Sequence, residues 1–306
     1  MPWNHRDNSL AIPEGQLQTW AGQAATATAS YTHASVRAAL SAATSPTCGR
    51  DYEVYLQGSY KNDTNSRGDS DVDIVVQLNS TITSDIEALD PRAKAAFDLT
   101  HPPATYRYED FRRDVAGALT RHYGAGTVRN GNKALKVQGG SGRLNADVVV
   151  CITHIKYAPG LLVPSPVEGM AFFTQDCYRH VVNFPKLHYD RGVQKNFLLS
   201  TNSWFKRSVR MFKNTRTYMV ERWLLGPDVA PSYFLECFLY NVPDNQFGTS
   251  HQHTFRNVLD WLRTADLPRF LCQNGQLPLF GFLPEQWSTP RAEEFVRATI
   301  DLWNNW

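Results

Sequence analysis

Hydrophobic positions change period along this chain, and the changes mark out its elements. Glu14–Ala43 has no proline and many alanines, with Leu17, Trp20, Ala24, Tyr31, Val36 and Leu40 roughly at helical spacing. That pattern predicts one long helix, ended by Pro46 and Gly49. Tyr52–Gln57 and Asp71–Leu78 have the composition of strands. In the second, Val72, Ile74, Val76 and Leu78 fall on one side and Asp71 and Asp73 on the other. Ser80–Pro103 reads as irregular, with a helix around Arg92–Phe97. Tyr106–Tyr123 is an amphipathic helix presenting Phe111, Val115 and Leu119. Lys133–Gln138 and Arg143–Ile152 flank the glycine-rich turn 139–142 and predict a hairpin, and Val167–Gln175 predicts another strand. Phe184–Gln194 reads as a loop or short helix. From Asn202 onward only helical patterns occur, over Asn202–Leu225, Ser232–Leu239, Phe255–Leu262 and Arg291–Trp303. The chain therefore divides into a mixed α/β part over residues 1–200 and a helical part over 201–306.

Composition narrows the class. With 306 residues, 42% hydrophobic and 12% aromatic, the chain can bury a large core, which excludes a disordered protein. Met1–Pro13 reads as a loosely ordered lead. A net charge of +2 is too small to predict a nucleic-acid partner. The five cysteines are widely spaced, with no C-x-x-C, and read as reduced thiols of a cytoplasmic protein. No signal segment and no membrane-length apolar run occurs, so no membrane partner is expected.

The chemistry concentrates in Gln57–Leu78, QGSYKNDTNSRGDSDVDIVVQL. Asp71 and Asp73, one residue apart on a strand, share a face, and two carboxylates on a rigid strand make a poor core and a good divalent-metal site. Asp147 interrupts the apolar run NADVVVCI and would leave a charge beside the core unless something pairs with it. A D-x-D pair alone is commonplace in solvated turns. The combination with an upstream Gly-Ser and a later strand aspartate is far more specific. Gly58 lets the backbone approach a phosphate, and the Ser59 hydroxyl adds a donor. On Asn202–Leu225, Lys206, Arg210 and Lys213 share a face, either a solvated basic stripe or a clamp on a triphosphate, with Lys213 the first choice. Ser232 and Tyr233 read either as a helix start with a core aromatic or as a hydrogen-bonding and stacking pair for a nucleobase. His251 and His253 have no cysteine or acid close by and read as a loop pair rather than a metal site.

QGSY…DSDVDIVV resembles the nucleotidyltransferase signature of the polymerase-β-like superfamily, with NADVVV supplying the third carboxylate. Within it, NFPK at 183–186, WFKRSVRMFKN and PSYFLECFLYNVP are similar to bacterial cGAS/DncV-like nucleotidyltransferases (CD-NTases). The resemblance implies a two-lobed α+β fold: a mixed-sheet core with a long N-terminal spine helix, and a helical lobe closing a nucleotide cleft. It implies two magnesium ions, or manganese, on Asp71, Asp73 and Asp147, with Gln57, Gly58, Ser59, Lys206, Lys213, Ser232 and Tyr233 binding nucleotide. The implied activity is condensation of ATP and/or GTP into a cyclic oligonucleotide, above all a cyclic dinucleotide such as cGAMP, with release of pyrophosphate. The implied setting is anti-phage signalling, with a separate effector responding to the product and room for a regulatory protein. Ser232, where pyrimidine-using relatives carry asparagine, favours a purine. The zinc-binding insertion of animal members is missing, so zinc-dependent DNA sensing is not expected. The rival readings are transfer to an external acceptor, such as an RNA 3′ end or a small-molecule hydroxyl, and a silent nucleotide-binding sensor.

Overall fold

The structure is a computed structural model that describes residues 11–66, 71–158 and 165–306. Most of the lead expected over Met1–Pro13, and residues 67–70 of the polar segment before Asp71, lie outside the described residues. The chain forms α1 (Glu14–Ala21), α2 (Ala27–Ser41), β1 (Tyr52–Leu56), α3 (Gly58–Asn62), β2 (Asp71–Asp85), α4 (Pro91–Thr100) and α5 (Tyr108–Tyr123). Then come β3 (Val128–Asn130), β4 (Leu135–Val137), β5 (Asn145–Ala158), β6 (Ser165–Phe173) and β7 (His180–Asn183). Helices α6 (Pro185–Asn196), α7 (Trp204–Glu221), α8 (Ser232–Tyr240), α9 (His251–Leu262) and α10 (Thr289–Asn304) follow.

Two compact units result. Among the described residues, the sheet unit comprises 26–60, 71–158 and 165–186, and the helical unit 11–25, 61–66 and 187–306. The units interleave in sequence, so a single cut after residue 200 does not describe them. Helix α6 and the segment after α3 both belong with the helices.

In the sheet unit the strand order is β1-β2-β5-β4-β3, with β6 joining β5 to β7. Strands β2 and β5 run parallel and the other pairs antiparallel. Val72, Ile74, Val76 and Leu78 are fully buried in one core with Leu40 of α2 and Phe111, Val115 and Leu119 of α5. Beyond Asp73 the strand is buried on its other face too, where Gln77 bonds Tyr55 Oη at 2.7 Å and Thr153 Oγ1 at 3.0 Å. The helical unit has its own core around Phe212, Phe234, Phe238, Phe255 and Phe295.

The unbroken helix expected over Glu14–Ala43 is not formed. The chain leaves the helix at Gly22, which has ψ 140°. Around the break the backbone finds partners elsewhere. Ala24 N–H donates to Asn65 O at 3.3 Å, Asn65 Nδ2 donates to Ala24 O at 3.0 Å, and Arg210 Nε donates to Ala21 O at 2.7 Å. These bonds replace the helical ladder where glycine weakens it most. The region expected to be irregular after Ser80 instead continues β2 to Asp85, and β3 and β7 are further additions.

Candidate active site

Strand pairing brings the aspartates together. Across the parallel β2–β5 pair, Asp73 stands opposite Asp147 and Asp71 opposite Asn145. Partners in register share a sheet face, so all four side chains project from one side. Asp71 is exposed and Asp73 half-buried, while the next residues of both strands go into the core. Asn145 Nδ2 donates to Asp71 Oδ1 at 3.1 Å, and Asn145 Oδ1 accepts from Gly139 N–H at 2.8 Å. The glycine-rich turn thus orients Asp71 through Asn145. Asn145 was missed as a site residue, although its N-x-D spacing from Asp147 places both on one face.

Asp147 has Lys136 of β4 opposite it, with Nζ 3.9 Å from Oδ1. Burial raises the Asp147 carboxyl above its ordinary value, the Asp71 charge adds to this, and Lys136 opposes it. Gly58 lies directly against Asp73. It adopts φ +65°, and a Cβ there would stand 2.2 Å from Asp73 Oδ2. Gln57 N–H donates to Asp73 O at 3.0 Å, which fixes the start of the turn, and Ser59 follows partly exposed. Gln57, Gly58, Ser59, Asp71, Asp73 and Asp147 therefore all belong to the sheet unit.

This all-oxygen donor set suits a hard divalent cation such as magnesium. Asp71 is turned to Asn145, and Asp147 has Lys136 beside it. Among the described residues no three His, Cys, Asp or Glu side chains are gathered in a metal-holding group.

The other candidates lie in the helical unit. Lys206 Nζ bonds Asp63 Oδ2 at 2.9 Å, Arg210 Nη1 bonds Asp63 O, and Lys213 Nζ bonds Thr64 O at 3.0 Å. The basic face of α7 is thus neither a solvated stripe nor an open clamp: it grips residues 63–64. Both lysines are buried, Lys206 9% and Lys213 3% exposed, so either would meet a phosphate only by exchanging its partner in residues 63–64. Ser232 is the exposed first residue of α8. The Tyr233 ring is already stacked on His188 and Trp287, with centroids 5.2 and 5.8 Å away. Sequence reasoning also passed over Glu236, which lies 4% exposed on α8. His251 and His253 are not a loop pair: they open α9, and an acid from far along the chain, Glu14, bonds His251 Nδ1 at 2.8 Å.

Among the described residues no helix is long and apolar enough to cross a membrane. Residues 41–109 match the nucleotidyltransferase domain, and residues 190–304 match the cGAS/DncV-like nucleotidyltransferase C-terminal helical domain. The chain is 51% identical to the cyclic UMP-AMP synthase of Rhodothermus marinus (strain SG0.5JP17-172), over 97% of this chain and 99% of that one. It is 34% identical to the cyclic nucleotide synthase CdnE01 of Staphylococcus haemolyticus, over 97% and 100% of the two chains. Among solved structures, the R. marinus CdnE c-UMP-AMP synthase with Apcpp and Upnpp superposes with a TM-score of 0.87 at 51% identity, covering 96% of this chain and 97% of that one. The Elizabethkingia meningoseptica CdnE cyclic dinucleotide synthase with GTP and Apcpp gives 0.76 at 27% identity, over 95% and 98%. With both domains matched and near-full-length likeness at this identity, the chain belongs to the cGAS/DncV-like nucleotidyltransferases, a family of cyclic oligonucleotide synthases.

Proposed function

We propose that this enzyme condenses one UTP and one ATP into cyclic UMP–AMP. A ribose hydroxyl of one nucleotide attacks the α-phosphorus of the other, the α–β phosphoanhydride bond breaks, and pyrophosphate leaves. A second transfer of the same kind, now within the linear intermediate, closes the ring and releases a second pyrophosphate. The placement of Asp73 opposite Asp147, with Gly58 against Asp73, supports this chemistry. Asp71, Asp73 and Asp147 would hold magnesium or manganese, whose charge activates the attacking hydroxyl and neutralises the leaving pyrophosphate. Asn145 orients Asp71, and the Gly58–Ser59 turn, entered at Gln57, receives the triphosphate. Lys206 and Lys213 are the α7 candidates for a phosphate contact, each made by exchanging its partner in residues 63–64.

The 51% identical relative named for a UMP–AMP product supports that choice of bases. The all-purine product expected from Ser232, cGAMP first, is the second reading; it is favoured by the 32% identical E. meningoseptica relative, a cyclic dipurine nucleotide synthase. Incubating the enzyme and magnesium with labelled ATP plus each of UTP, GTP and CTP separates the two. The proposal expects the phosphatase-resistant product to need UTP and ATP. A product from ATP and GTP alone, at higher yield, would replace it. Self-condensation without an added acceptor excludes an RNA-end or antibiotic-modifying enzyme, and turnover excludes a silent sensor. The product would act as a second messenger in anti-phage defence, read by a separate effector. Five free cysteines fit the reducing cytoplasm as its place of action.

A further inference from the structure

Glu236 is a buried carboxylate that this chemistry does not use. It sits on α8 between Leu235 and Cys237, both fully buried. Its Oε2 accepts from Asn62 Nδ2 at 2.8 Å and lies 3.1 Å from His188 Nε2, and its Oε1 accepts from Thr64 Oγ1 at 2.5 Å. Burial opposes its charge. The bond and charge of His188, the Lys213 charge and the Thr64 bond prevail and hold the carboxyl below its ordinary range.

Asn62 and Thr64 belong to the stretch that joins the Gly58–Ser59 turn to Asp71. The same stretch is held by Lys206 and Arg210 on Asp63, by Lys213 on Thr64 and by the Asn65–Ala24 pair. Asp63 has φ 56°, in the left-handed region, immediately after α3 ends. Asn62, Thr64, Asn65 and Ser66 are all buried. This is more anchoring than a surface connection requires. Asn62 is the last residue of α3, and Gly58 and Ser59 are its first two.

We propose that Glu236 is a positioning residue for nucleotidyl transfer: through Asn62 and Thr64 it holds the far end of α3, and so fixes the turn at Gly58 and Ser59 that receives the triphosphate. The inference rests on the reading of that turn as the phosphate site. The test is steady-state kinetics of the full-length enzyme with magnesium and its nucleoside triphosphates, for Thr64→Val, Thr64→Ser, Glu236→Gln and Ser59→Ala. Loss of a hydrogen bond to a charged group should raise KM about tenfold in Thr64→Val and Glu236→Gln, with kcat changed less than about threefold. Thr64→Ser keeps the donor and should match the parent. A merely structural role would reduce the folded fraction, lowering apparent kcat at unchanged KM, and that result would overturn the proposal. Should Glu236→Gln not fold, the two Thr64 variants decide. If Ser59→Ala raises KM and folded Thr64→Val does not, Glu236 has no positioning role and the phosphate turn stands. If Ser59→Ala leaves KM unchanged, the phosphate-turn reading fails and the role of Glu236 fails with it.

Discussion

At the scale of single residues, the site depends on close approaches that leave no room for substitution. Gly58 combines a left-handed backbone with a carboxylate 2.2 Å from where a Cβ would stand. Gly58→Ala must displace Asp73 or the turn, and a misplacement of about 1 Å in such a site costs on the order of 100-fold in kcat/KM. Steady-state assays with circular dichroism should show that loss in a folded protein. Asn145 touches no reacting group, yet it links Asp71 to the glycine-rich turn. Asn145→Ala should raise the magnesium concentration needed for half-maximal activity about tenfold, as loss of a ligand's supporting partner does. The aspartates were legible because strand alternation is a local rule. Gly58 was singled out from its Gly-Ser pairing, but the Asp73 carboxylate that excludes a Cβ there was not legible, because Asp73 lies fifteen residues away in sequence. For Tyr233 and Lys213 the residue types were legible but the present neighbours were not: Tyr233 stacks on His188 and Trp287, and Lys213 bonds Thr64 O.

At the scale of elements, periodicity identified most helices and the two central strands, and misjudged where tertiary bonds compete with it. The alanine-rich run between Glu14 and Ala43 carries helical spacing throughout. Its break comes from Asn65 and Arg210, which lie far along the chain. Asn65 is fully buried and bonds the Ala24 backbone through both its side chain and its carbonyl. Asn65→Ala would leave Ala24 O without its partner, and the expected cost is about 1–3 kcal/mol of unfolding free energy by urea denaturation. The basic face of α7 was visible as a pattern. Its partner, residues 63–64, was not, because hydrophobic spacing says nothing about which polar segment a helix will grip.

At the scale of the whole molecule, stability carries a pH dependence that the active site does not set. His154 is buried in the sheet unit, with Nδ1 3.0 Å from Thr83 Oγ1 and its ring 6.1 Å from His180. Burial first, then the neighbouring His180, push its pKa down to about 4, with Asp85 opposing and Lys156 adding slightly. An unfolded histidine titrates near about 6.5, so between those values the unfolded chain binds a proton that the folded chain does not. Stability should therefore fall as pH drops through that window, by about 3 kcal/mol over its full width. His154→Gln, which keeps a polar group for Thr83, should flatten that slope in urea titrations at several pH values. The division into a sheet-bearing and a helical part was readable from the change of period near residue 200. The interleaving of the units was not, since it depends on a short polar segment folding with distant helices.

The central claim is that nucleotide transfer is carried out at the carboxylate face of β2 and β5. It is tested most directly by pyrophosphate release and product mass spectrometry, with all four nucleoside triphosphates and magnesium. The parent enzyme is compared with the Asp71→Asn, Asp73→Asn double variant. The parent should give a phosphatase-resistant cyclic dinucleotide, and the folded double variant neither product nor pyrophosphate. A double variant that still makes the cyclic product at the parent's rate would contradict the claim.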